Sequence, residues 1–180
     1  VRVTFIHRVQ HDSSRYSRIR FAGHMDTSSS APEAPHILRP PNREEEIHLG
    51  NEWQPPLLRP NASTREFGAW GEEVAYRHLV ARGITVLGRN WRCRLGEIDL
   101  VCHDPGRSSV FACEVKTRRE RGCVPAIESV SRAKLARLRQ LLAMWMSTHD
   151  VWAERLDIDV IAITVGDDQM WNLCHIEGVA

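Results

Sequence analysis

Hydrophobic and polar positions change rhythm along this chain, and the changes mark out its elements. In FGAWGEEVAYRHLVARG (67–83) apolar residues recur at helical spacing and Gly83 supplies a stop, so a helix is expected there. ITVLGRNW (84–91) follows with the period of a strand, interrupted at Gly88. GEIDLVC (96–102) and SVFACEVKT (109–117) read as two further strands separated by the turn DPGR. PAIESVSRAKLARLRQLLAMWMSTH (125–149) returns to helical spacing. IDVIAITV (158–165), the turn GDD and QMWNLCHI (169–176) predict a closing hairpin. The order α-β-β-β-α-β-β describes an α/β domain with one mixed five-stranded sheet flanked by helices.

Upstream of this region neither period holds. Residues 1–66 contain seven of the nine prolines and two of the eleven glycines, with apolar residues scattered between them. Such a segment buries too little surface to offset its ordering entropy. Residues 1–65 are therefore expected to be a disordered, Pro-rich tail, or sequence upstream of the true translation start. Residues 66–180 form the domain.

Composition refines this picture only slightly. The formal net charge of +1 gives no polyanion signal for the whole chain. The basic residues are nevertheless uneven. From Lys116 to Arg139 eight basic residues face two acidic ones, a net +6. That is an ordinary solvated helix face, or a surface for a phosphate backbone. No apolar run is long enough to span a bilayer, so no membrane role is expected. The five cysteines lack the C-x₂₋₄-C spacing of a zinc site, and free thiols in a reducing cytoplasm are the simplest expectation. No P-loop, dinucleotide fingerprint or H-E-x-x-H is present.

Strand alternation supplies the candidate chemistry. In GEIDLVC it puts Glu97, Asp99 and Val101 on one face and Ile98, Leu100 and Cys102 on the other. In SVFACEVKT it puts Ala112, Glu114 and Lys116 together, opposite Phe111, Cys113 and Val115. Antiparallel pairing would bring Asp99 near Glu114. Two adjacent carboxylates repel unless a cation sits between them, and Mg²⁺ takes oxygen ligands while keeping waters. Such an ion activates water and stabilises charge on a phosphoryl oxygen, with Lys116 placed to orient the attacking water.

The helices contribute two more residues. Lys134 lies in the middle of an apolar stripe of Ile127, Val130, Leu138, Leu141 and Trp145. It either snorkels past the helix edge or reaches the acidic cluster or a bound phosphate. Glu72 shares an arc with Ala75 and Leu79, whereas Glu73 points away, so Glu72 is the glutamate that could look toward the sheet. Trp91 is either core packing or a platform for a base. His78 is expected to be a surface or packed residue.

GEEVAYRHLVARGITVLGRNWRCRLGEIDLVC, VFACEVKTR and IDVIAI together resemble the YraN-like (UPF0102) family of small bacterial proteins. That family is similar to archaeal Holliday junction resolvases within the PD-(D/E)XK nuclease superfamily. The resemblance covers about residues 68–178. It implies a restriction-endonuclease-like core and Mg²⁺- or Mn²⁺-dependent phosphodiester cleavage. It matches Asp99 to the motif aspartate, Glu114 and Lys116 to the (D/E)XK pair, and Glu72 to the acidic residue of the first helix. On this reading Asp99, Glu114 and Glu72 hold the metal, with Glu97 and Lys134 in secondary roles. The family motif R-(F/I)-D-V reads Asp157-Ile158-Asp159-Val160 here, with Arg155 nearby.

The expected activity is a metal-dependent endonuclease acting on DNA, including branched or flapped forms. Arg92, Arg94, Arg118, Arg119, Arg132 and Arg137 are the candidate phosphate contacts. Resolvase-like relatives are often dimers, so the resemblance also implies a homodimer. The alternative is a nucleic-acid-binding protein or adaptor without catalysis, in repair, recombination or uptake.

Overall fold

The computed structural model describes residues 2–8, 55–56, 58–59, 61–119 and 131–179. A mixed sheet lies between two helices, in the restriction-endonuclease-like α/β arrangement. The elements in chain order are β1 (Arg2–Arg8), α1 (Thr64–Ala81), β2 (Thr85–Cys93), β3 (Gly96–Asp104), β4 (Ser109–Arg119), α2 (Arg132–His149), β5 (Arg155–Val165) and β6 (Trp171–Glu177).

The sheet runs β1-β6-β5-β4-β3-β2, so it has six strands instead of the expected five. The added strand is RVTFIHR, from the segment expected to be a tail; it pairs antiparallel with β6 from Arg2↔Glu177 to Arg8↔Trp171. β2, β3 and β4 form an antiparallel meander. β4 and β5 are parallel neighbours, and the crossover that parallel strands need is supplied by α2. β5 and β6 close as a hairpin. Among the described residues no helix is long and apolar enough to cross a membrane.

Local chemistry sets the helix ends. Ser63 accepts from the Glu66 amide at 3.3 Å, and the Glu66 carboxylate accepts from the Ser63 amide at 2.8 Å. This capping box starts α1 three residues earlier than the periodicity alone suggested. Gly83, with φ +76°, follows the end of α1. Ser131 caps α2 by accepting from the Lys134 amide at 3.2 Å, so the helix begins at Arg132 and not at Pro125. Residues 125–130, with Ile127 and Val130 of the expected stripe, lie outside the described residues.

Each helix covers one sheet face. Phe67, Val74, Ala75 and Leu79 of α1 bury against Leu100, Cys102, Phe111, Cys113, Val115, Ile161 and Ile163. Leu138, Leu141, Leu142, Trp145 and Met146 of α2 bury against Val101, Val110, Ala112 and Ile158. β2 has a register shift between Val86 and Gly88, where the sequence suggested an interruption.

Helix α1 approaches the sheet closely at Gly71. A methyl there would land on the Thr117 side chain of β4, and the Thr117 hydroxyl is buried without a hydrogen-bond partner. Gly71→Ala is therefore expected to destabilise the domain by about 1–3 kcal/mol, the usual cost of overpacking. Thr117→Ala, made in the same chain, removes the nearest clashing atom and should restore part of the loss. Urea unfolding of the two single variants and the double variant checks this. Additive losses would contradict the contact.

Candidate active site

Asp99 sits where β3 and β4 part. Their register ends at Leu100↔Cys113. One residue further, Asp99 Oδ2 accepts the Val115 backbone N–H of β4 at 2.8 Å. A side-chain carboxylate thus takes the acceptor place that a neighbouring strand would supply. The expected alternation fails at this point. Leu100 belongs to the core beneath α1, whereas Ile98 packs with the core beneath α2. Ile98 and Leu100 thus belong to different cores, so the alternation expected for Ile98, Leu100 and Cys102 does not run through Asp99. Glu97 pairs with Arg92 at 3.1 Å on the surface.

Glu114 is buried and is held by two ammonium groups. Lys134 Nζ lies 3.2 Å from Oε2 and Lys116 Nζ lies 3.8 Å from Oε1. Of the two readings open for Lys134, the structure shows the reach to the acidic cluster. A lysine on the buried stripe of α2 is placed there to meet a carboxylate inside the sheet face. Lys116 is one pleat along β4 from Glu114, as alternation predicted.

The electrostatics centre on Asp99. Its pKa is raised from 3.8 to about 6, chiefly by burial and then by the Glu114 charge. The Val115 N–H opposes that rise, Glu72 adds to it, and Lys134 opposes it. Glu72 on α1 is therefore felt at the site. Among the described residues, however, no three of His, Cys, Asp and Glu converge as a metal-holding group. The donor chemistry of Asp99 and Glu114 still fits a hard divalent cation. Two facing carboxylates, one of them resisting ionisation, are stabilised by such an ion, and Mg²⁺ commonly takes few protein ligands and keeps its waters.

The basic residues divide. Arg92, Lys134 and Arg137 line one cleft of about 360 Å³ together with Cys93, Gly96, Glu97, Leu138 and Leu141. Arg94 is exposed in the β2–β3 turn and Arg132 is exposed at the start of α2. Arg118 is half-buried at the end of β4. Arg119 lies over the Phe67 ring at 5.0 Å, on the α1 side, away from the cleft. Arg155 reaches Asp157 at 3.5 Å. Trp91 is half-buried against the α2-side core.

A second polar constellation, on the α1 side, was not anticipated. Asp159 and His175 are fully buried. Asp159 receives Arg107 through both Nη1 (3.0 Å) and Nη2 (2.8 Å), and also the Gly178 amide at 2.9 Å. His175 Nε2 lies 3.0 Å from Asp159 Oδ2, and its Nδ1 lies 2.8 Å from Arg82 Nη1. Arginine offers only donors, so Nδ1 accepts and Nε2 donates to Asp159. Arg82 also holds Glu177 at 2.7 Å. His78 packs edge-on against His175, and burial, then His175 and Arg82, lower its pKa to about 3. Every partner here is satisfied within the protein, which suits a structural role. The sequence signal was an aspartate inside the apolar run IDVIAI.

Comparison with known proteins places the chain. Residues 71–163 match the model of a family described as uncharacterised protein family UPF0102. A UPF0102 protein of Mycolicibacterium smegmatis is 43% identical over 114 residues, covering 63% of this chain and 92% of the relative. One from Kineococcus radiotolerans is 46% identical over 114 residues, with the same shares. One from Beutenbergia cavernae is 46% identical over 112 residues, 62% of this chain and 93% of the relative. The family match spans all of Glu72, Asp99, Glu114, Lys116 and Lys134, and on this basis the chain belongs to the UPF0102 family.

Proposed function

We propose that the protein is a metal-dependent endonuclease of the PD-(D/E)XK type, related to Holliday junction resolvases and acting on DNA, including branched or flapped forms. The observation that carries this reading is the carboxylate pair at the β3–β4 fork. Asp99 is held in place by the Val115 amide but resists ionisation, beside a Glu114 clasped by two lysines. A fold rarely keeps a repelling pair of acids in its interior for stability, and perturbed groups of this kind cluster at functional sites.

Asp99 and Glu114, with Glu72 in support, would hold Mg²⁺ or Mn²⁺, which when bound supplies Lewis-acid activation of water and of the phosphoryl oxygen. Lys116 positions the attacking water and offsets negative charge developing at the phosphate. Lys134 orients Glu114 and balances its charge. Arg92 and Arg137 hold the strand through its phosphates.

The test is incubation of the full chain with labelled branched, flap and single-stranded DNAs in Mg²⁺ or Mn²⁺. The wild-type protein is expected to cut at least one of them. Lys116→Ala is expected to cut about 10²–10³-fold more slowly while binding as before. Cleavage of none of them by the wild type, or equal cleavage by the variant, would overturn the assignment for these substrates.

One observation favours a second reading, binding without cleavage. Both oxygens of Glu114 already have lysine partners, so that carboxylate is balanced by the protein itself. On that reading DNA binding falls with salt and is unchanged by metal or by Asp99→Ala.

A further inference from the structure

We propose that the cleft between the β2–β3 turn and α2 is a subsite for one unpaired nucleotide of a DNA strand. The inference rests on the nuclease reading for its position but not for its chemistry.

The cleft has three properties that point to a nucleotide. Its volume, about 360 Å³, is at the small end of ligand pockets and suits one nucleoside unit. Its walls are cationic: Arg92 comes from β2, and Lys134 and Arg137 come from successive turns of α2. Glu97 is the acid present, and it is paired to Arg92 at 3.1 Å at an exposed rim, where such a pair holds weakly. The rest of the lining is apolar or nearly so: Cys93, Gly96, Leu138 and Leu141. A phosphate at the basic wall and a base against this floor satisfy both halves of the cleft.

Two details tie the cleft to the carboxylates. Lys134 is shared: it lines the cleft and its Nζ lies 3.2 Å from Glu114 Oε2. Gly96 has φ +149° and packs against Leu141, so close that a methyl there would sit 3.2 Å from a Leu141 methyl. A side chain at position 96 would both strain the backbone and crowd the floor. The site is thus arranged for a strand whose nucleotide next to the cleaved phosphate is unstacked and unpaired. This narrows the substrate to single-stranded, flapped or frayed DNA and makes a blunt duplex a poor ligand.

Cys93 provides a readout that needs no cleavage. It is half-buried in the cleft, whereas Cys102 and Cys113 are fully buried and Cys174 lies on β6, with β4 and β5 between it and β3. The full-length Lys116→Ala protein is treated with N-ethylmaleimide in EDTA, and modification of each cysteine is followed by peptide mass spectrometry. A short oligothymidylate at saturating concentration should slow Cys93 modification by at least about fivefold without changing Cys174. A blunt duplex or inorganic phosphate should slow it by less than about twofold. Arg137→Ala in the same background should weaken the protection by the oligothymidylate.

Absence of protection by the single strand, equal protection by the duplex or by phosphate, or protection unaffected by Arg137→Ala would each overturn the subsite. Protection without metal-dependent cleavage by the wild type would leave the subsite standing and remove the nuclease reading. Cleavage without protection would do the reverse.

Discussion

Asp99→Asn is expected to make the metal-free protein more stable and to remove the metal-dependent cleavage proposed above. The asparagine Oδ1 can still accept the Val115 amide, so the β3–β4 fork keeps its hydrogen bond. What is lost is a buried charge facing Glu114. The folded pKa of Asp99 is raised to about 6 from an ordinary 3.8, so its protonated form suits the fold and its ionised form does not. The stabilising contribution is therefore fully present below about pH 4 and is lost as pH rises through about 6. At about 1.4 kcal/mol per pKa unit, the wild type should forfeit about 1–3 kcal/mol across this window. The Asn variant lacks this titration, so its advantage should widen between pH 4 and pH 7. Urea unfolding at both pH values in EDTA measures it. A variant less stable than wild type at pH 7 would show that the carboxylate is structurally needed. On the proposed nuclease reading Asp99 would be a metal-holding residue, so cleavage by the variant should be lost.

Asp159→Ala should have the opposite character. It strips the part-buried Arg107 of a bidentate partner and the fully buried His175 of its acceptor. Breaking one side of a buried charge network costs about 3–5 kcal/mol. Asp159→Asn, which keeps the shape and part of the hydrogen bonding, should cost less. Burial works to raise the pKa of Asp159, but hydrogen bonds from His175, Arg107 and the Gly178 amide outweigh it and lower the pKa. Its contribution is therefore present above the ordinary aspartate range and lost as pH falls through the depressed value. The network lies on the α1 side of the sheet, so the folded fraction of either variant should keep its specific activity. A loss below about 1 kcal/mol for Asp159→Ala would contradict the network's structural weight.

The contrast between these two acids shows what the sequence made legible. The elements from Phe67 onward follow from periodicity, because each buries one face against a helix or sheet. Glu114 and Lys116 follow from the same rule; periodicity puts Lys134 on the apolar stripe of α2 but does not choose its partner. Asp99 departs from that rule. Ile98 and Leu100 on either side of it belong to different cores, and its partner is a backbone amide that no pattern of side chains announces. The Asp159–His175 pair depends on the register of β5 against β6, which only the assembled sheet sets. β1 is hard to read from sequence because an edge strand pairs on one side and needs little hydrophobic signal. The start of α2 is ambiguous in the sequence because Pro125 is a good first helical residue and Ser131 an equally good cap.

If Asp99 and Glu114 form the proposed divalent-cation site, calorimetric titration of the full chain with Mn²⁺ at pH 7.5 should show saturable binding by the wild type. That binding should be lost or weakened by at least about tenfold in Asp99→Asn and Glu114→Gln. Binding of equal strength in all three proteins, or none in the wild type at millimolar Mn²⁺, would contradict the proposed site.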